Sequence, residues 1–249
     1  MEKFELALES ADIAGKGSEV KERRFSPLLK CLSFVAPAAP NGAGRRGGAT
    51  YHTLITTGDP LAEDALMAAI SRGTERVLRE LTGGAKRRVL AVGLGNPSAI
   101  VDALGPQTVK KLSAGEKGGS YLATIVPSVF GLTGLESASV VRGVAREYRP
   151  DLILSVDTLS TRRAERLYRA VQITDGGVVP GGGVGNGRDP ISEEVFGVPV
   201  ISVGVPLLAH ADRCASLPAG LVVTPKEIDL LVPRFADALS AGMEKALFE

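Results

Sequence analysis

Apolar positions along this chain fall into two spacings. Short runs rich in apolar and β-branched residues at 50–57, 87–93, 121–127, 151–157, 167–173 and 198–205 predict strands. Val89-Leu-Ala-Val92 and Leu152-Ile-Leu154 are continuously apolar and rich in branched side chains, as in strands covered on both faces of a parallel sheet. Between the runs, helical spacing predicts a helix over 60–81, with Asp59 as its cap, Pro60 in its first turn and Gly83-Gly84 as its stop. Further helices are expected over 105–112, just after Asp157, and over 131–148, where Leu135, Ser139, Val140, Gly143 and Val144 share a face. A last helix is expected from Pro225 to the C-terminus, with Thr224 and Glu227 as a capping box. Residues 1–48 show no sustained period and read as an arm. Alternating strands and helices predict a single α/β domain over 1–249, a sandwich with a mostly parallel central sheet.

Composition narrows the classes of function. A net charge of +1, 4% aromatic residues and no Trp give no basis for direct nucleic-acid binding. No apolar run is long enough to span a bilayer, and acids occupy the start of the chain where a signal peptide would place its apolar core. Two cysteines, Cys31 and Cys214, suit a reducing compartment, so a soluble cytoplasmic protein with no membrane partner is expected.

The chemistry concentrates where the buried runs end. Gly93-Leu-Gly-Asn-Pro97 turns the chain sharply after one run, Asp102 follows, and Pro106 sits in the first turn of the next helix. Asp157 closes the second run. Neighbouring parallel strands would bring both carboxylates to one edge of the sheet, where open α/β folds bind ligands. Two carboxylates sharing a cleft can divide labour, one ionised to activate water and the other protonated to donate to a leaving amine. Asp102 as a helix cap and Asp157 as a turn residue is the alternative reading. The loop from Gly176 to Asn186, with Gly183, Gly185 and Asn186, has the backbone freedom to approach an extended peptide, or else is a plain connection. Arg162 and Arg166 would brace the acids or form a solvated face. His52 and His210 stand in no triad motif, His52 reading as structural. Neither Cys-x-x-Cys nor His-Glu-x-x-His occurs, so neither a metal nor a cofactor is implied.

Read together, Val92-Gly-Leu-Gly-Asn96 with Asp102-Ala-Leu-Gly-Pro106, Gly131-Leu-Thr-Gly-Leu-Glu136, Asp157-Thr-Leu-Ser-Thr-Arg162 with Arg166, Val171-Gln-Ile-Thr-Asp-Gly176, Gly183-Val-Gly-Asn186 and Val223-Thr-Pro-Lys-Glu227 resemble the germination protease of spore-forming bacteria. The resemblance covers about residue 90 to the C-terminus and implies an endopeptidase that degrades small acid-soluble spore proteins in the spore core. It implies Asp102 and Asp157 as the catalytic pair, with Gly95, Asn96, Arg162, Arg166 and the glycine loop as substrate-binding or supporting residues. It also implies a three-layer α/β/α fold similar to the hydrogenase maturation proteases, whose metal site uses acids at these two places plus a His that has no counterpart here. A homo-oligomer, tetrameric in the family, is implied too, although the segment 207–221 is short. Lys3-Phe-Glu-Leu-Ala-Leu-Glu-Ser10 resembles the family's self-processing segment, so a cut between Glu5 and Leu6 is expected, leaving a pro-segment of residues 1–5.

Two alternatives belong to other classes. Val92-Gly-Leu-Gly-Asn-Pro97 also opens peptidyl-tRNA hydrolases, but the His that should follow is missing. A trimmed paralogue that binds spore proteins without cutting them would keep the same fold.

Overall fold

The computed structural model describes residues 19–36, 48–85, 87–182, 189–214 and 220–249. In chain order the elements are β1 (Lys21–Ser26), β2 (Leu29–Ala36), β3 (Ala49–Thr56), α1 (Asp64–Thr82), β4 (Arg88–Gly93), a 3₁₀ turn (Ile100–Asp102) and α2 (Leu104–Lys110). There follow β5 (Gly115–Lys117), β6 (Ser120–Ile125), α3 (Phe130–Thr133), α4 (Ser137–Tyr148), β7 (Leu152–Thr161), a second 3₁₀ turn (Ala164–Arg166) and β8 (Ala170–Thr174). The chain closes with α5 (Glu193–Phe196), β9 (Val200–His210), α6 (Ala211–Cys214), β10 (Val222–Val223) and α7 (Ile228–Phe248).

All the strands join one sheet in the order β1-β2-β3-β8-β9-β7-β4-β6-β5, with β10 beside β9. The α/β class stands, but the expected mostly parallel sheet is corrected to a mixed one. Among the described residues only β6/β4, β4/β7 and β7/β9 pair in parallel. At the two ends of the sheet, β1/β2 and β5/β6 are antiparallel because two-residue connections, Pro27-Leu28 and Gly118-Gly119, can only reverse the chain. Alternation along β4 separates two apolar layers. Val89 and Ala91 pack with α1, α2 and α7, whereas Leu90 and Val92 pack with Ala138 and Val141 of α4. Helices thus cover both faces of the parallel centre, which accounts for its continuously apolar strands.

Several sequence expectations shift. Lys21–Ala36, read as part of an arm, forms a hairpin that extends the sheet through β3. The first helix starts at Asp64 rather than Pro60, because Asp59 closes a separate turn: its carboxylate accepts the Leu61 N–H at 3.0 Å and its carbonyl the Glu63 N–H at 3.0 Å. The helix expected over 131–148 breaks into α3 and α4 at Gly134, left-handed at φ 69°. Its buried face is Ser137, Ala138 and Val141, while Leu135, Ser139 and Gly143 are exposed. The last helix starts at Ile228, since the Thr224 hydroxyl donates to the Leu207 carbonyl at 3.1 Å instead of capping.

Gly105, in the first turn of α2, rests directly on the ends of β4 and β7. A Cβ there would run into the backbone carbonyls of Leu94 and Val156. Gly143 in α4 has no neighbour that a Cβ would meet. Gly105→Ala should therefore destabilise the fold by about 1–3 kcal/mol, whereas Gly143→Ala should stabilise it by about 0.5–1 kcal/mol. Urea unfolding of the two variants checks both signs.

Candidate active site

β4 ends where Gly93 pairs with Val156 of β7, and the Leu94 N–H then donates to the Val156 carbonyl at 2.9 Å. The chain leaves the sheet at Gly95, whose φ of 111° only glycine adopts without strain. A Cβ on Gly95 would strike the Asp102 carbonyl and lie 2.9 Å from Asp102 Oδ1. The next residue ties the loop to itself. Asn96 Oδ1 accepts the Ser98 N–H at 2.9 Å, and the Asn96 N–H donates to Asp102 Oδ2 at 2.7 Å. The N-cap of α2 is Ala103, with no side-chain capping bond, so Asp102 is not the cap that sequence allowed. Its carboxylate turns back to the loop.

Asp157 is not at a strand end, as expected from sequence, but in the middle of β7, which runs on to Thr161. Ser and Thr side chains continue the strand because β9 pairs with it as far as Ala209, burying every residue of β7. β4 covers β7 only as far as Val156, so Asp157 lies one residue past the cover. It is 7% exposed, and its Oδ1 accepts the Thr158 N–H at 2.8 Å. On the same side of the strand, the Ser155 and Ser202 hydroxyls meet at 2.7 Å.

Both aspartates line one cleft of about 410 Å³ at the carboxyl ends of the parallel strands. Leu94, Gly95 and Val101 complete its β4 side, Val129, Phe130, Gly131 and Ser137 form the wall after β6, and Leu208, Val222, Pro180 and Gly181 close the rest. The wall after β6 is fixed by Ser128, a non-glycine residue at φ 64°, whose carbonyl accepts the Ser137 hydroxyl at 2.8 Å. Asp102 and Asp157 are the only ionisable side chains among the described lining residues. A water held there would meet two carboxyl groups and, among the described lining residues, no cationic side chain. Burial holds the Asp102 carboxyl above the ordinary aspartate range, and the Asn96 N–H, which favours the ionised form, offsets part of that rise.

Among the sequence candidates, Asp102, Asp157 and Gly95 line the cleft, and Asn96 positions Asp102. Arg162 and Arg166 lie beyond the end of β7 and do not line it. Gly183, Gly185 and Asn186, with Glu5 and Leu6, fall outside the described residues, although Pro180 and Gly181 bring the start of the glycine loop to the cleft. Sequence reasoning missed Val101, Val129–Gly131, Ser137, Leu208 and Val222. The signal for Phe130 was present: an aromatic residue just past a strand's carboxyl end, before Gly131. His52 accepts or donates at 2.8 Å with Ser33, and His210 is 3.2 Å from the Ser160 hydroxyl; neither lines the cleft. Among the described residues no cluster of three His, Cys, Asp or Glu side chains suits a metal ion.

The raised pKa of Asp102 has a stability consequence. Its contribution is fully present below the unfolded-state value of about 3.9 and is lost as pH rises through the higher folded-state value. Asp102→Asn keeps an oxygen for the Asn96 N–H and removes the charge. The melting temperature of the variant minus that of the parent should therefore be larger at about pH 7 than at about pH 3. Thermal scans across that range check it.

Against known families, residues 35–217 match the profile described as germination protease. The germination protease of Priestia megaterium is 30% identical over 93% of this chain and 67% of its own length. That of Oceanobacillus iheyensis is 29% identical over 91% and 63%, and that of a Geobacillus strain 35% identical over 66% and 45%. The chain thus spans about two thirds, or less, of the length of the curated relatives it matches. Among solved structures, the [NiFe] hydrogenase maturation protease HycI from Thermococcus kodakarensis KOD1 overlays with a TM-score of 0.44 and 20% identity, covering 67% of this chain and 98% of that one. The family profile spans most of the chain, including both aspartates, and the chain belongs to the germination protease family.

Proposed function

We propose that this chain is an endopeptidase that degrades small acid-soluble spore proteins in the spore core during germination, using Asp102 and Asp157 to drive the attack of water on a peptide bond. The observation that carries this reading is a single cleft, in a germination protease family member, lined by two carboxylates and no other described ionisable group. Asp157 in its ionised form takes a proton from the water as the oxygen attacks the peptide carbonyl carbon. The tetrahedral intermediate collapses as the C–N bond breaks, and the leaving amine takes a proton from Asp102, whose burial favours the protonated form. The proton gained by Asp157 then passes to Asp102 through the next water, restoring both groups. Gly95 and Asn96 are positioning residues, fixing the Asp102 carboxyl by close backbone approach and by one hydrogen bond.

Incubation with a purified small acid-soluble spore protein tests the reading. The parent should cut it, while Asp102→Asn and Asp157→Asn should each lower kcat by about 10²–10⁴-fold. The rate should fall as pH rises through the Asp102 value, and Asp102→Asn should remove that alkaline limb. Mass spectrometry of the same samples should reveal a chain beginning at Leu6, the product of self-processing after Glu5. Cleavage unchanged in both variants would refute the aspartate pair, and binding without cleavage by the parent would favour a non-catalytic paralogue.

A further inference from the structure

A second cavity, of about 360 Å³, lies at the other end of α4 from the cleft and shares no lining residue with it. Ser137 at the start of α4 lines the cleft, whereas Arg142 and Arg146 in that helix and Arg149 just past it line this cavity. The three arginines follow one another at steps of four and three residues, so they share one helix face. At 1.5 Å per residue, Arg146 is about 14 Å along the axis from Ser137. The floor is apolar, made by Ala145, Pro150, Val195, Phe196 and Val198. No acidic side chain is among the described lining residues.

Two observations set this cluster apart from cations that merely complement a helix C-terminus. Arg149 is left-handed, at φ 51°, in a C-cap position where glycine is the unstrained choice. Strain of this kind persists at ligand sites, and here it keeps a guanidinium beside the cavity. Secondly, Arg142 alone of the three pairs with a carboxylate among the described residues, Asp189 at 3.6 Å. The Arg142 guanidinium also lies 5.9 Å from the centre of the Phe196 ring, so charge and apolar floor meet there. Arg146 and Arg149 are exposed.

The donors select the anion. A carboxylate has two oxygens and is matched by a single guanidinium fork. A phosphate monoester presents three oxygens and up to two negative charges, which three guanidinium groups can share. The apolar floor suits whatever the phosphate is attached to. We propose that this cavity binds a small phosphate monoester with a flat apolar body, its phosphate held by Arg142, Arg146 and Arg149 and its body laid on Val195, Phe196 and Val198. The site stands apart from the two aspartates and does not depend on the proteolytic reading.

Titration calorimetry of the full chain with phenyl phosphate, inorganic phosphate and benzoate tests it. Phenyl phosphate should bind about tenfold or more tightly than inorganic phosphate, through the buried ring, and tighter than benzoate by about as much. Arg146→Gln combined with Arg149→Gln should weaken both phosphates by about tenfold or more. Arg72→Gln, at an exposed arginine on α1, should change neither. Phe196→Ala should weaken phenyl phosphate and leave inorganic phosphate unchanged, while Phe196→Leu should keep most of the affinity. Arg149→Gly should weaken binding without lowering the melting temperature, since glycine relieves the left-handed strain. Asp102→Asn and Asp157→Asn should bind phenyl phosphate as the parent does. Affinity unchanged in the double arginine variant, or lost in an aspartate variant, would overturn the site. Equal affinity for phenyl and inorganic phosphate would overturn the apolar body, and benzoate binding as tightly as phenyl phosphate would overturn the choice of anion. A phosphotyrosine peptide that binds more tightly than phenyl phosphate would overturn the small-molecule reading, assigning the cavity to a modified protein segment.

Discussion

The hydrogen bond from the Leu94 N–H to the Val156 carbonyl closes the pairing of β4 with β7, and the candidate site begins where that pairing stops. Gly105 is seated against the two carbonyls at this junction, those of Leu94 and Val156, so α2 starts directly on the strand ends. With no side chain at Gly105 the helix sits low. The loop before it is then short enough to fold Asp102 back onto Asn96. One close backbone contact therefore sets the height of one aspartate, while the early end of β4 uncovers the other. A bulkier residue at 105 would lift the Asp102 loop away from the strand that carries Asp157.

The electrostatics follow from this placement. Asp102 accepts the Asn96 N–H and Asp157 the Thr158 N–H, each by a short bond, and no Lys, Arg or His is among the described residues that line the cleft. A backbone N–H steadies a carboxylate without the full charge that an arginine would supply, so burial still disfavours ionisation at Asp102. Exposed guanidinium pairs elsewhere, such as Arg23 with Glu80 at 2.8 Å, are remote from this balance.

Much of this was legible in the chain. The runs ending near Gly93 and Asp157 announce parallel strands because each is apolar on both faces, and parallel neighbours must place their carboxyl ends together. That was enough to make Asp102 and Asp157 a candidate pair, with a helix cap and a turn residue as the alternative. The hairpin Lys21–Ala36 was not legible because β1, an edge strand, is largely exposed and carries Lys21, Glu22, Arg23 and Arg24 in place of an alternating apolar signal. The length of β7 was hidden because Thr158, Ser160 and Thr161 are buried polar residues, covered through the β9 pairing rather than marked by hydrophobicity. Leu208 and Val222 were missed because their role comes from where separate segments meet, which no local pattern encodes.

The central claim is that two carboxyl groups, one on the 3₁₀ turn after β4 and one on β7, act on one space. Carbon-detected NMR titration of the Asp102 and Asp157 side chains measures it most directly, in the parent and in each single Asn variant. The account predicts that Asp157→Asn lowers the Asp102 midpoint, since it removes a neighbouring negative charge that is present while Asp102 titrates. An Asp102 midpoint that stays the same in Asp157→Asn would contradict it.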